Sequence, residues 1–244
     1  MGIIEYAAKL RDKASHIDAG NTASCVYNPL KYAWKPHQMY LERFGTGQKR
    51  VVFLGINPGP FGMAQSGVPF GEIDAVKNWM GIEAEVGKPD SEHPKRPVDG
   101  FDCPKSEVSG RRLWTLMKER YGPAENFFAE HFVANYCPLV FMNETGKNIT
   151  PDKLPAAQRS KLFRICDTHL TEIIMELKPE FLVGIGKFAE KQLNRLLKEK
   201  ETEGLSFSPY PVVTNVLHPS PASPHANRGW AEQAVKQLKD AGVW

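Results

Sequence analysis

Val51-Val52-Phe53-Leu54-Gly55-Ile56, followed by Asn57-Pro58-Gly59-Pro60-Phe61-Gly62, is the stretch that decides the fold. No polar residue interrupts the first six positions. A strand with one face in water alternates apolar and polar side chains, whereas an unbroken run is buried on both faces, as in parallel sheets covered by helices. The run ends on Asn-Pro-Gly-Pro, where proline fixes φ and glycine opens turn conformations.

Three further runs of this kind follow: Phe132-Val133-Ala134-Asn135, Phe181-Leu182-Val183-Gly184-Ile185 and Val212-Val213-Thr214-Asn215-Val216-Leu217. Helical patterns lie around them. Residues 2–16 gather Ile4, Ala7, Ala8 and Leu10 on one side, with Lys9, Arg11, Asp12 and Lys13 elsewhere. Ser109 is placed to cap a helix through Arg120, and residues 157–177 form another that Pro179 ends. Residues 187–200 follow the third strand directly, and residues 228–241 close the chain before Gly242. Strand–helix alternation predicts an α/β domain, a parallel sheet with helices on both faces. With no repeat, low-complexity tract or internal boundary, residues 1–244 read as a single domain.

Residues 57–105 break the pattern, being rich in proline and glycine. A loop this long in a compact domain is functional or disordered. Its first half carries Phe61, Met63, Val68 and Phe70 and reads as an ordered binding loop; the more polar stretch from Glu85 to Lys105 reads as mobile.

Composition narrows the classes. With 244 residues the chain can bury roughly 70–75% of its unfolded surface. An apolar fraction of 41% against 24% charged residues excludes a disordered polymer. No run approaches the ~18 apolar residues of a membrane span, and Met1-Gly2-Ile3-Ile4-Glu5-Tyr6 lacks the order of a secretory signal. The net charge of +3 permits a polyanionic partner without demanding one. Cys25, Cys103, Cys137 and Cys166 contain no close pair of the kind metal and iron–sulfur sites use, so they read as reduced thiols.

In a parallel α/β sheet the ligand sits at the carboxyl ends of the strands. Those ends carry Asn57-Pro58-Gly59, Asn135-Tyr136-Cys137-Pro138, Gly184-Ile185-Gly186-Lys187 and His218-Pro219-Ser220-Pro221, so two asparagines, a histidine and a lysine should surround one cleft. Asn57 is either a turn asparagine bonded to its own backbone or an amide that holds water or substrate; it is no general base. His218 is either a strand-end histidine satisfied by backbone or a neutral donor to developing negative charge. Gly186 and Lys187 start a helix that can hold one phosphate, but the third glycine of a dinucleotide loop is missing. There is no G-x-S-x-G, P-loop or H-E-x-x-H, and Cys137 reads as a core thiol.

Residues Gly55 to Gly71 (GINPGPFGMAQSGVPFG) closely resemble the first motif of the single-strand-selective monofunctional uracil-DNA glycosylases. His218-Pro219-Ser220-Pro221 with Asn227-Arg228-Gly229-Trp230, Asn135-Tyr136-Cys137-Pro138-Leu139 and Asn148-Ile149-Thr150-Pro151 resemble later motifs, and the likeness runs from about residue 25 to the C-terminus. It implies a three-layer αβα fold with a central four-stranded parallel sheet. It also implies removal of uracil and C5-substituted uracils from DNA, leaving an abasic site.

By the same resemblance, Asn57 positions the attacking water, His218 supports charge on the departing base, Phe70 stacks on the flipped base and Asn135 reads its pairing edge. Ile56, Gly59 and Met63 border the base, the last two leaving room beside C5, while Ser220, Pro221, Ala222, Asn227 and Arg228 meet DNA, as do Gly186 and Lys187. Two departures stand out: Ile56 replaces a common methionine, and Ala222 stands where familiar members carry an arginine wedge. The expected partner is uracil-containing DNA, single- or double-stranded, with no cofactor, metal, iron–sulfur cluster or membrane. The expected state is a monomer in the cytoplasm, or in the nucleus of a eukaryote. Two alternatives stay open here: excision of deaminated purines such as xanthine on the same fold, and a non-catalytic nucleic-acid-binding module.

Overall fold

The computed structural model describes residues 2–244; Met1, the first residue of the segment weighed against a secretory signal, lies outside them. The strands are β1 (Cys25–Tyr27), β2 (Val51–Gly55), β3 (His131–Asn135), β4 (Val140–Met142), β5 (Asn148–Ile149), β6 (Phe181–Ile185) and β7 (Val212–Val216). The α-helices are α1 (Ile3–Ala14), α2 (Pro29–Tyr32), α3 (Trp34–Phe44), α4 (Met63–Ser66), α5 (Val108–Tyr121), α6 (Ala124–Glu130), α7 (Ala156–Leu177), α8 (Lys187–Thr202) and α9 (Trp230–Asp240).

The four apolar runs form one parallel sheet in the order β3-β2-β6-β7. β2 is buried along its whole length, as an unbroken apolar run requires. β7 departs from that expectation: it lies at an edge of the sheet, and Val212 is exposed. The chain adds β3 on one side of β2 and then β6 and β7 on the other, which opens a crevice at the carboxyl ends. Phe53, Phe127, Phe132, Leu182 and Leu193 are among the fully buried side chains of the core around the sheet.

A second, antiparallel sheet of order β1-β4-β5 was not expected, because its strands have only two or three residues each and carry no periodicity. Helices α2, α3 and α6 were likewise unread. Residues 85–105, expected to be loose, are tied down instead. Tyr27 Oη donates to the Arg96 carbonyl, Gln65 Oε1 accepts from the amides of Asp99 and Gly100, and His93 and Val98 are buried. The α5 boundary also moves: Glu107 precedes the helix and Ser109 lies inside its first turn, so Ser109 caps nothing.

All four cysteines are free thiols, with Cys137 and Cys166 in the core. Among the described residues no helix is long and apolar enough to cross a membrane, and no cluster of His, Cys, Asp and Glu could hold a metal ion.

Candidate active site

A cleft of about 880 Å³ opens at the carboxyl ends of the parallel strands. Ile56, Asn57, Gly59, Phe70, Asn135, His218, Ser220 and Pro221 line it, so eight of the residues singled out by sequence meet there. Met63 joins them through its contact with Asn135.

Asn57 is not a turn asparagine bonded to itself. Its Nδ2 donates to the Leu139 carbonyl (3.2 Å) and to Asn148 Oδ1 (3.3 Å), while Asn148 Nδ2 donates to the Pro58 carbonyl (3.1 Å). Both amide hydrogens face acceptors, so the oxygen is the atom left to accept a hydrogen bond from something in the cleft. Asn148 belongs to a motif noted in the sequence, but its grip on Asn57 across 91 positions was not readable there.

His218 follows β7, and its imidazole packs 6.3 Å from the Phe70 ring. Nδ1 accepts the Ser220 amide at 3.1 Å, which requires the neutral ring to carry its proton on Nε2. Burial pushes its pKa down to about 4, so at neutral pH the ring is an uncharged donor. Gly186 lies beneath it at φ +93°, where a Cβ would sit 3.1 Å from the His218 Cβ.

Asn135 closes β3. Its Nδ2 donates to Met63 Sδ at 3.3 Å, and its Oδ1 is buried with no hydrogen-bond partner among the described residues. A Cβ on Gly55 would strike both that oxygen and the Phe70 ring, so β2 must be bare at this point. Phe70 itself is held at φ +52°, a left-handed conformation that costs a bulky residue about 1–3 kcal/mol. The Trp114 indole N–H and the Glu72 amide both donate to its carbonyl and hold it there. The result is a slot with an aromatic wall and a carboxamide at its end, shaped for a flat ring with adjacent donor and acceptor atoms.

The remaining candidates divide. Asn227 Nδ2 donates to the Pro221 carbonyl, and Arg112 donates to the carbonyls of Pro219 and Ser220 and to Asn227 Oδ1. Arg112, unread in the sequence, thus clamps the His218–Arg228 loop. Ala222 and Arg228 are exposed on that loop. Lys187 is exposed, pairs with Glu190 at 2.9 Å and does not line the cleft. Lys105 and Arg111 do line it, giving the rim positive charge.

Glu107 was also missed. Its carboxyl lines the cleft and is packed so closely that a Cβ on Gly59, Gly62 or Gly110 would run into it. Three glycines around one acid are the trace it leaves in the sequence.

Comparison with known proteins matches residues 42–239 to the uracil DNA glycosylase superfamily. The chain is 44% identical over 242 residues to the single-strand selective monofunctional uracil DNA glycosylase of Bos taurus, covering 99% of this chain and 86% of that protein. It is 43% identical to the enzyme of the same name from Rattus norvegicus, covering 99% and 84%. The crystal structure of wild-type SMUG2 from Pedobacter heparinus superposes with a TM-score of 0.62 at 16% identity, over 98% of this chain and 99% of that one, a likeness of fold.

Proposed function

The chain belongs to the uracil DNA glycosylase superfamily, and from that premise we propose that it hydrolyses the N-glycosidic bond of uracil and of C5-substituted uracils in DNA, leaving an abasic site. The observation that carries this reading is the meeting of Asn57, Phe70, Asn135 and His218 around one cleft.

A base inside a duplex is out of reach, so the nucleotide must leave the stack and enter a pocket. Phe70 gives the flipped base its stacking face. Asn135 offers Nδ2–H to O4 and Oδ1 to N3–H; cytosine presents an amine and an unprotonated ring nitrogen at those positions and fits neither. Breaking the bond from C1′ to N1 builds oxocarbenium character on the sugar and negative charge on the base. Neutral His218 donates Nε2–H to that charge, and donors aimed at developing charge are among the strongest catalytic devices. Asn57 Oδ1 holds a water whose oxygen bonds to C1′ as the base leaves, and the water's proton passes to solvent or base. The electron-poor carbon needs little activation of its nucleophile, so an amide is sufficient.

A strand-cleaving glycosylase attacks with an uncharged amine. Lys105 is the lysine that lines the cleft, and its ammonium lies over the Phe61 ring, 4.9 Å from the centroid. This supports a water-using, monofunctional reaction. Lys105, Arg111 and the loop from Ser220 to Arg228 are the surface offered to the DNA backbone.

Incubation with an oligonucleotide carrying one uracil, followed by alkali, tests the reading. Scission at the uracil is expected. DNA binding without alkali-labile sites would support a binding module instead.

A further inference from the structure

Arg112 touches no reacting atom in the steps above, yet its contacts reach the His218 imidazole through one peptide bond. It belongs to α5, is half-buried and does not line the cleft. One guanidinium nitrogen donates to the Pro219 carbonyl (3.0 Å) and more weakly to the Ser220 carbonyl (3.4 Å). The other donates to Asn227 Oδ1 (2.8 Å). All three acceptors are neutral, so the cation spends its charge on the loop and not on a carboxylate. Its neighbour Arg111 is turned to Ser106 Oγ instead.

The Pro219 carbonyl and the Ser220 N–H are the two ends of one peptide unit. That N–H is the group that donates to His218 Nδ1 at 3.1 Å. Resonance couples the ends: charge drawn onto the oxygen leaves the nitrogen more positive and its proton a stronger donor. A cation on the oxygen does this more than a neutral donor would. A neutral imidazole carries its one proton on either nitrogen, and the bond made at one nitrogen decides for the other. A stronger donor at Nδ1 therefore keeps the proton on Nε2 and makes that N–H the better donor. Pro219 has a fixed φ, which leaves ψ as the rotation the guanidinium must hold. The same helix holds Phe70, through the Trp114 indole on the Phe70 carbonyl.

We infer that Arg112 is a positioning residue that acts on His218 through the Pro219–Ser220 peptide, holding the imidazole as its Nε2–H tautomer and strengthening it as a donor to the departing base. The inference rests on the base-excision reading above.

Histidine labelled with 15N reads the tautomer directly, with His218 assigned by the signals lost in His218→Leu. Wild type should show the Nε2–H pattern, and Arg112→Gln should move both ring nitrogens toward the average of the two tautomers. On a single-stranded oligonucleotide with one uracil, Arg112→Gln should slow single-turnover excision about tenfold or more while Kd stays within about twofold. In a His218→Leu background the same substitution should cost less than about twofold further, because residues that act as one unit are not additive. Arg112→Lys, whose ammonium can still meet the Pro219 carbonyl, should keep the Nε2–H pattern and excise faster than Arg112→Gln. A mixed tautomer in wild type, wild-type shifts in Arg112→Gln, or a lysine variant no better than glutamine overturns the inference. So does a full-sized loss in the His218→Leu background, or a loss confined to Kd, which would make Arg112 part of the DNA-binding surface. A wild type inactive on uracil sinks the base-excision reading, while the NMR comparison still decides whether Arg112 holds the tautomer.

Discussion

At His218 the Ser220 amide occupies Nδ1, and burial keeps the ring uncharged, so a single proton on Nε2 is available to the cleft. A group whose work lies in the transition state should matter more to rate than to affinity. His218→Leu is expected to slow single-turnover excision about 10²-fold or more while the Kd for DNA moves little. Equal losses in both would make His218 a binding residue. Asn135 carries the complementary prediction. Asn135→Asp places an acceptor opposite O4, so uracil excision should drop sharply, with cytosine excision appearing only to the extent that the acid stays protonated. Undiminished uracil excision would remove Asn135 from base reading. These residues were legible in the sequence because each ends an apolar strand, and parallel strands bring their carboxyl ends together. Glu107, Arg112 and the hold of Asn148 on Asn57 were not legible, because each works on a segment far along the chain that only the fold brings near: Gly59, Ser220 and Asn57.

The element that deserves a test of its own is the loop from His218 to Arg228. It is stiffened by Pro219, Pro221 and Pro224 and clamped by Arg112. Filling the gap left by a flipped base offsets an unstacking cost of roughly a few kcal/mol per step. Exposed Ala222 has little side chain with which to do so. Ala222→Arg should therefore raise excision from a fully paired U·A duplex more than from single-stranded DNA, compared at one salt concentration because phosphate contacts respond to salt. Equal gains on both substrates would mean that the arginine adds only charge. At this scale the sequence misled over residues 85–105, which are tied down rather than loose, and at the start of α5. Ser109 in Glu-Val-Ser-Gly looked like a cap, but the helix begins at Val108, and the preceding Glu107 turns its carboxyl toward the glycines of the cleft.

Across the whole molecule the long apolar strands were readable and the short β1-β4-β5 sheet was not, since two or three residues cannot show a period. Folding also buries titratable groups. His37, His131 and His169 are buried neutral, with pKa values pushed down to about 4, 4 and 3 by desolvation. His37 and His131 donate Nδ1–H to the carbonyls of Gly67 and Phe127. The unfolded chain binds protons to these groups from about pH 6.5 downward and the folded chain does not. Their stabilisation is thus full above that pH and is lost as pH falls toward 4, at about 1.4 kcal/mol per net proton per pH unit. His218 adds a fourth such group in the cleft, and Glu107 works in the opposite sense between its ordinary value and about 7, cancelling one of the four. Urea unfolding should accordingly show markedly lower stability at pH 5 than at pH 7.5, and equal midpoints would mean that these histidines are not buried neutral. The account as a whole rests on water held by Asn57 attacking C1′ of a uracil nucleotide. Single-turnover excision from a single-stranded oligonucleotide with one uracil, by wild type and by Asn57→Ala, tests it most directly. The wild type should release the base and Asn57→Ala, still folded, should be slower by about 10²–10³-fold; a folded Asn57→Ala protein with a near-normal rate would contradict it.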